Sequence, residues 1–254
     1  MRLKLLGTGN AAGMPLYGCD CINCLLARQN RDLQRTACSA QLDTGGVTFL
    51  LDAGQLNLAE TYPHGTLNGI LLTHFHPDHV QGLFHLRWGI GDKIPVYCPP
   101  DDQGCADLFK HPGILDFLPQ QAFSSFSLGD MEVTPLPLNH SKNTHGYFIQ
   151  RNGTSLAYLT DTKGLPERTE QFLISRNINL MVIDCSYVPG SNKGGHNNLN
   201  EVIEIAERTQ PHKVVLTHIG HDLDICLKQN PAELPENIIA GYDGMELRPG
   251  QIDG

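Results

Sequence analysis

Three histidines and one aspartate fall within the six-residue segment His74-Phe75-His76-Pro77-Asp78-His79. The segment follows the run Ile70-Leu71-Leu72-Thr73, which has the length and apolar character of a buried strand. A chain that leaves a strand at this point brings four metal-binding side chains into one small volume. Because imidazole and carboxylate groups suit Zn²⁺, Mn²⁺ and Fe²⁺, the segment predicts a metal centre at a strand end.

The same arrangement, a short apolar run followed by His or Asp, recurs along the chain. The further runs are 47–51 before Asp52, 133–138 before Asn139-His140, 156–160 before Asp161, 180–183 before Asp184, and 214–217 before His218. Helical patterns at 167–175 and 200–208 lie between the later runs. Strands that alternate with helices predict an α/β fold with sheet inside and helices outside.

The histidine segment and the later strand ends together offer seven candidate ligands. They are His74, His76, Asp78, His79, His140, Asp161 and His218. Since one catalytic ion needs about three protein ligands, this number predicts two divalent ions, which is an arrangement known for hydrolysis of phosphate esters and amides. Asp161 is the candidate for a carboxylate shared between the two ions.

The composition predicts a globular chain and limits its partners. With 254 residues, 40% of them hydrophobic and 18% charged, a single domain over 1–254 can bury a sizeable core. A net charge of −9 argues against nucleic acid and anionic membranes as partners, because both require a basic surface. We find no apolar run that predicts a signal peptide or a membrane span, and we expect a cytoplasmic protein.

Residues 10–38 show little periodicity and are predicted to form a loop that needs reinforcement. Cys19, Cys21 and Cys24 cluster in this loop and can supply three thiolates to a structural zinc ion, which then needs a fourth ligand. Three reduced thiols are the alternative. The other five cysteines, which are scattered along the chain, are predicted to be buried or unreactive thiols.

The ordered ligand positions resemble the metallo-β-lactamase superfamily, in which His-x-His-x-Asp-His follows a buried strand. This resemblance implies an αββα four-layer sandwich with His74, His76 and His140 on one ion and Asp78, His79 and His218 on the other, bridged by Asp161. Asp52, in Leu51-Asp52-Ala53-Gly54, would then steady the ligands by hydrogen bonding. An ordinary turn residue is the alternative for Asp52.

The segment Gly194-Gly195-His196-Asn197-Asn198 resembles the phosphodiesterase branch of that superfamily, which contains tRNA 3′-processing nucleases. The resemblance makes His196 the general acid that protonates the leaving oxygen, and Asp161 and Asp78 catalytic residues beside it. Asp184 is predicted to orient His196 or to hold a nearby loop. A surface histidine between glycines is the alternative for His196.

Within this branch, the chain resembles a family of phosphoribosyl cyclic phosphodiesterases of bacterial phosphonate catabolism. The likeness includes Cys19-Asp20-Cys21-Ile22-Asn23-Cys24 and His218-Ile219-Gly220-His221, and it makes His221 the fourth zinc ligand. It implies two active-site ions (Mn or Zn), one structural Zn and a homodimer. The implied reaction opens 5-phosphoribosyl 1,2-cyclic phosphate to ribose 1,5-bisphosphate, with 2′,3′-cyclic nucleotides as further substrates.

Two other functions remain open from the sequence. One is a tRNA 3′-processing endonuclease, although we find no basic Gly/Pro-rich arm and the net charge is negative. The other is a non-catalytic zinc-binding scaffold, although a scaffold has no need for an open site with two ions. A small phosphorylated substrate is therefore the expected partner.

Overall fold

The computed structural model describes residues 1–229 and 234–251, and these residues form fourteen strands and eight helices. The strands are β1 (Arg2–Gly7), β2 (Ser39–Thr44), β3 (Val47–Leu51), β4 (Gly69–Leu71), β5 (Ile94–Cys98), β6 (Leu115–Pro119), β7 (Phe126–Leu128), β8 (Met131–Pro137), β9 (His145–Arg151), β10 (Thr154–Leu159), β11 (Leu180–Asp184), β12 (Lys213–Thr217), β13 (Ile238–Ala240) and β14 (Glu246–Leu247). The helices are α1 (Ile22–Gln29), α2 (Leu58–Thr61), α3 (Pro77–Val80), α4 (Leu83–Leu86), α5 (Ala106–Lys110), α6 (Glu167–Ile174), α7 (Leu199–Thr209) and α8 (His221–Gln229).

The strands form two seven-stranded mixed sheets. The first has the order β14-β1-β2-β3-β4-β5-β6, and the second has the order β13-β12-β11-β10-β9-β8-β7. Strands β3 to β6 are parallel to one another in the first sheet, and β10 to β13 are parallel in the second. Parallel neighbours end at the same edge of a sheet, so the polar residues that follow them are gathered there.

Three apolar layers hold the two sheets and their helices together. Leu5, Leu51, Tyr147 and Val182 belong to the buried layer between the sheets. A second cluster packs the outer face of the first sheet against α2 to α5, and a third packs the second sheet against α6 to α8. This arrangement confirms the predicted αββα sandwich. Within the described part of the chain, no helix has both the length and the apolar character needed to cross a membrane.

The predicted strands and helices are present, with small differences at their ends. The run 70–73, for example, forms a strand only as far as Leu71. The backbone N–H of Thr73 donates to Oδ1 of Asp52 at 2.7 Å instead of to a neighbouring strand. The N–H of Leu72 still donates to the carbonyl oxygen of Tyr97 in β5 at 2.8 Å, so the side chain of Asp52 replaces the neighbouring strand only at Thr73, the last residue of the run.

Residues 10–38 differ more from expectation, because they contain helix α1 and a short 3₁₀ turn at Arg31–Leu33. Helix α1 buries only Cys24 and Ala27, and its larger apolar residues Ile22, Leu25 and Leu26 are exposed. The Cys21 Sγ accepts a hydrogen bond from the backbone N–H of Cys24 at 3.5 Å and caps the helix. The cysteines thus take part in the local fold of this segment.

Candidate active site

The segment after β4 and the turn after β8 bring three histidines together. The Nε2 atoms of His74 and His140 lie 2.8 Å and 3.0 Å from Nδ1 of His76. His76 therefore presents Nδ1 to the group, while its Nε2 lies 3.3 Å from Oγ of Ser141. With a carboxylate oxygen of Asp161, the three ring nitrogens all lie within 4.8 Å of one another, a spacing that suits one metal ion.

A second group lies beside the first and consists of Asp78, His79 and His218. The Oδ2 atom of Asp78 lies 3.5 Å from Nε2 of His79 and 3.6 Å from Nε2 of His218. Both Nε2 atoms are buried and have no hydrogen-bond partner among the described residues. Because a buried polar atom without a partner is costly, these two nitrogens fit metal coordination.

Asp161, which follows β10, lies between the two groups. Its Oδ2 atom is 3.3 Å from Nε2 of both His79 and His218, and 3.8 Å from Nε2 of both His74 and His140. One carboxylate oxygen thus faces ring nitrogens of both groups. The geometry is that of a carboxylate able to bridge two ions.

The carboxylates of this cluster are held in their ionised form. Burial by itself raises the pKa of Asp161, but the neighbouring His218 and His79 outweigh burial and hold that pKa well below its usual range. The pKa of Asp78 is also lowered, since contacts with His218 and His79 outweigh its burial. An ionised carboxylate is the form that binds a divalent cation.

Asp52 and Thr73 fix the ring of His79 from behind. Nδ1 of His79 donates to Oδ2 of Asp52 at 2.8 Å, which leaves Nε2 to face the cluster. Both the backbone N–H and the hydroxyl of Thr73 donate to the same carboxylate. Asp52 has a φ of 63° and His218 a φ of 55°, a left-handed conformation that costs energy in residues other than glycine and is found at functional sites.

His196 stands at the open side of the cluster. Its ring centroid lies 4.6 Å from that of His218, with the rings stacked, and 5.1 Å from that of His140. Its Nδ1 atom donates to Oδ2 of the fully buried Asp184 at 2.7 Å. Because Asp184 keeps the proton on Nδ1, the other ring nitrogen is free to exchange a proton with a substrate.

The loop that carries His196 is anchored by the start of helix α7. Asn198 and Glu201 form a reciprocal capping box, as the sequence 197–198 before an apolar helix suggests. The backbone carbonyl of Asn197 accepts from the N–H of Ser186 at 2.9 Å. This contact brings the two ends of the loop together.

The predicted structural zinc ligands lie together in a separate group. The Nε2 atom of His221 lies 3.5 Å from Sγ of Cys19 and 3.4 Å from Sγ of Cys21, and Cys24 completes the group. Hydrogen bonds from Cys24 and His221 lower the pKa of Cys21 to about 6, so its thiolate forms readily. Three sulfur atoms and one imidazole nitrogen fit a closed tetrahedral zinc site.

Several residues that hold the predicted ligands could not be identified from the sequence. Thr73 is next to His74 in the chain, and Ser186 follows Asp184 by two residues, but neither residue type signals a role in isolation. The carbonyl oxygen of Gly195, which lies 3.2 Å from Nδ1 of His140, carries no side-chain signal at all. Adjacency to a motif was the only available indication for Thr73 and Ser186.

Comparison with known proteins places this geometry among related folds. The family model described as "Beta-lactamase superfamily domain" matches residues 48–219. An octanoyltransferase of Porphyromonas gingivalis is 29% identical over 267 residues, covering 97% of this chain but only 51% of that protein, so this chain spans about half its length. Coenzyme PQQ synthesis protein B of Klebsiella pneumoniae is 25% identical over 316 residues, covering 97% of this chain and 98% of the relative.

The fold of this chain can be compared with a solved structure over nearly the whole length of both chains. A diphosphatase of the PhnP family superimposes on this chain with a TM-score of 0.81 at 25% sequence identity. The match covers 97% of each chain. The resemblance therefore includes the cysteine-containing segment 10–38 and the end of the second sheet, and not only the residues around the histidine cluster.

Proposed function

This chain belongs to the metallo-β-lactamase superfamily, and from that premise we propose that it is a metal-dependent phosphodiesterase acting on small phosphorylated substrates. The proposed reaction opens 5-phosphoribosyl 1,2-cyclic phosphate to ribose 1,5-bisphosphate, and 2′,3′-cyclic nucleotides are further substrates. The observation that carries the proposal is the His196–Asp184 pair beside the histidine and aspartate cluster.

A phosphodiester needs the group that this pair supplies. The departing sugar oxygen is a poor leaving group as an alkoxide, so protonation of that oxygen lowers the barrier. A thiolate, by contrast, leaves without a proton. His196 is partly exposed, with 19% of its side chain accessible, and is therefore reachable by a substrate, whereas Asp184 is fully buried behind it.

The two ligand groups fit two divalent cations, Mn or Zn, with His74, His76 and His140 holding one and Asp78, His79 and His218 holding the other. When bound, such cations lower the pKa of water and neutralise charge that develops on the phosphate oxygens. Asp161 contributes a negative charge shared by both groups.

The residues of the chain account for the proton transfer. His196 gives the proton on Nε2 to the departing sugar oxygen. The Asp184 carboxylate accepts the Nδ1–H of His196 throughout, and it stabilises the imidazolium form that donates the proton. His196 then regains a proton from solvent, to which its side chain is open.

The comparisons and the charge support a small phosphate-containing substrate. The PhnP-family protein that superimposes over 97% of this chain is described as a diphosphatase, an enzyme that hydrolyses a phosphorus–oxygen bond. The net charge of −9 disfavours a polyanion such as tRNA. A substrate held by one small site is the simplest partner for such a surface.

The test is hydrolysis by protein reconstituted with Mn²⁺ or Zn²⁺, with three substrates compared. These are 5-phosphoribosyl 1,2-cyclic phosphate, a 2′,3′-cyclic nucleotide and a precursor tRNA. We expect turnover of the two cyclic phosphates and no cleavage of the tRNA. Preferred cleavage of the tRNA would support the nuclease, and metal-replete protein without turnover on any phosphodiester would support the scaffold.

The variant His196→Ala tests the role of the general acid. It should lower kcat on the cyclic phosphate by about 10²-fold or more while the metal content is unchanged. His212→Ala is the control, since His212 is an exposed histidine whose backbone N–H bonds to Ile178 outside the cluster. Full activity of His196→Ala would remove His196 from the mechanism.

A further inference from the structure

Ser186 lies between a predicted metal ligand and the carboxylate that orients His196. Its side chain is buried, with 2% of the residue exposed. Oγ of Ser186 is 2.9 Å from Nδ1 of His218 and 2.9 Å from Oδ1 of Asp184. It also lies 2.8 Å from the carbonyl oxygen of His218. No role was predicted for this serine from the sequence.

The direction of these hydrogen bonds follows from proton counting. When Nε2 of His218 faces a cation, Nδ1 carries the proton and donates it to Oγ of Ser186. The serine hydroxyl has a single proton, for which a carboxylate and a carbonyl oxygen compete. The charged carboxylate of Asp184 is the stronger acceptor, so Ser186 donates to Oδ1 of Asp184.

A continuous chain of hydrogen bonds then runs from His218 to His196. Oδ1 of Asp184 accepts from Ser186, and Oδ2 of the same carboxylate accepts from Nδ1 of His196 at 2.7 Å. The backbone N–H of Thr162 also donates to Oδ2 at 2.9 Å. The carboxylate therefore has little freedom to rotate while Ser186 holds its other oxygen.

The loop between Ser186 and His196 is tied at its tip to the start of helix α7: the N–H of Gly190 donates to Oδ1 of Asn200 at 2.9 Å, and the carbonyl of Ser191 accepts from Nδ2 of Asn198 at 2.8 Å. Residues 189, 190 and 192–195 are exposed, and a side chain added at Gly190, Gly194 or Gly195 would meet no neighbouring atom. At the far end, the carbonyl of Gly195 accepts from Nδ1 of His140, a ligand in the other metal group, at 3.2 Å. The contacts on either side of His196 thus reach one ligand of each metal group, His140 through Gly195 and His218 through Asp184 and Ser186.

We propose that Ser186 is a positioning residue: its hydroxyl transmits the orientation of His218, a predicted metal ligand, to the carboxylate that holds His196. Occupation of the metal site fixes the ring of His218, and through Ser186 it fixes the general acid in its working orientation. The role in turnover rests on the proposed phosphodiesterase function. The coupling between the metal site and His196 does not.

The test measures the Nδ1 proton of His196 by NMR in protein with ¹⁵N-labelled histidine, loaded with Zn²⁺. The His196 signals are identified by their absence from the spectrum of His196→Ala. In Ser186→Ala, exchange of this proton with solvent should be faster by about tenfold or more, since one hydrogen bond that holds its acceptor is gone. Unchanged exchange in zinc-loaded Ser186→Ala overturns the proposal.

The control is Ser155→Ala, which also removes a buried hydroxyl with hydrogen bonds to Asn177 and Asn179 but lies outside the cluster. Its stability loss should match that of Ser186→Ala, while the exchange of the His196 proton should equal that of the wild type. Wild-type protein stripped of metal gives a second measurement that needs no substitution. Exchange that is as slow without metal as with zinc also contradicts the coupling.

Kinetics separate the positioning role from a general loss of structure. Ser186→Ala should lower kcat on a cyclic phosphate by about 10- to 100-fold with little change in KM. On a diester with a p-nitrophenolate leaving group, which needs no proton, kcat should fall by much less. Equal losses on both substrates would contradict the positioning role. If no phosphodiester is hydrolysed, the proposed function fails while the proton-exchange result still decides the coupling.

Discussion

Oδ2 of Asp184 lies 2.7 Å from Nδ1 of His196, and the carboxylate is fully buried while the imidazole reaches the surface. Asp184→Asn keeps the shape of the side chain but removes the charge that stabilises an imidazolium. We expect kcat for a cyclic phosphate to fall by about 10²-fold, because the proton donor is weakened and its tautomer is no longer fixed.

The matched control for Asp184→Asn is Asp116→Asn, which removes an exposed carboxylate from β6. Steady-state rates and metal content should be measured for both variants. If Asp184→Asn and Asp116→Asn have the same kcat, the hydrogen bond to His196 has no part in turnover.

Loss of one cysteine from the Cys19, Cys21, Cys24 and His221 group should release the structural zinc. Cys21→Ser is expected to bind one equivalent of zinc fewer than the wild type and to expose residues 10–38 to limited proteolysis, because this segment has a small core of its own. Cys226→Ser, at a half-buried thiol outside the group, is the control. Equal zinc content in the two variants would contradict the assignment of Cys21 as a ligand of the structural zinc.

His145 should make the stability of the protein decrease in mild acid. Burial lowers its pKa to about 4, from 6.5 in an unfolded chain, and its Nδ1 has no hydrogen-bond partner among the described residues. Between these two values the unfolded state binds the extra proton. The stability that His145 contributes is therefore complete above pH 6.5 and is lost as the pH falls towards 4.

The measurement is the free energy of unfolding in urea for the wild type and His145→Asn, at pH 7.5 and at pH 4.5. Asparagine does not titrate, and all other groups are common to both proteins. Over this range the wild type should lose about 2 to 3 kcal/mol more than the variant. A parallel decrease in both proteins would show that His145 is not responsible.

The buried ion pair of Arg35 and Asp224 should be costly to break. Nε of Arg35 donates to Oδ1 of Asp224 at 2.7 Å, and the side chain of Asp224 is fully buried. Arg35→Met leaves a buried carboxylate with Lys228 as its remaining charged partner. We expect a loss of roughly 3 to 5 kcal/mol in the free energy of unfolding.

Arg2→Met is the comparison for Arg35→Met, because Arg2 forms a similar short pair with Asp43 but has 43% of its side chain exposed. Urea unfolding should show a loss of at most about 1 kcal/mol for Arg2→Met. If the two variants lose similar amounts of unfolding free energy, burial does not determine how much these ion pairs contribute to stability.

The sequence by itself predicted an α/β fold and the convergence of the predicted ligands, whereas the αββα layering was implied by the family resemblance. Each apolar run can be recognised from consecutive residues alone. The polar residue that follows the run marks the end of a strand, and this does not depend on which strands lie beside it in the sheet. His74, Asp161 and His218 could therefore be assigned to one edge of the fold before their distances were known. The spacing of Cys19, Cys21 and Cys24 predicted a zinc site in the same way, although only a family resemblance indicated His221.

Only the tertiary structure decided which groups hold these residues in place. The serine that connects His218 to Asp184 and the glycine carbonyl that contacts His140 are common residue types, and a hydrogen bond to them depends on chain segments 32 and 55 residues away. Helix α1 likewise packs through Cys24 and Ala27 within the cysteine segment, while its apolar residues Ile22, Leu25 and Leu26 stay exposed. Local patterns specify which side chains are chemically able to act, but orientation is set by long-range packing, which has no pattern along the chain.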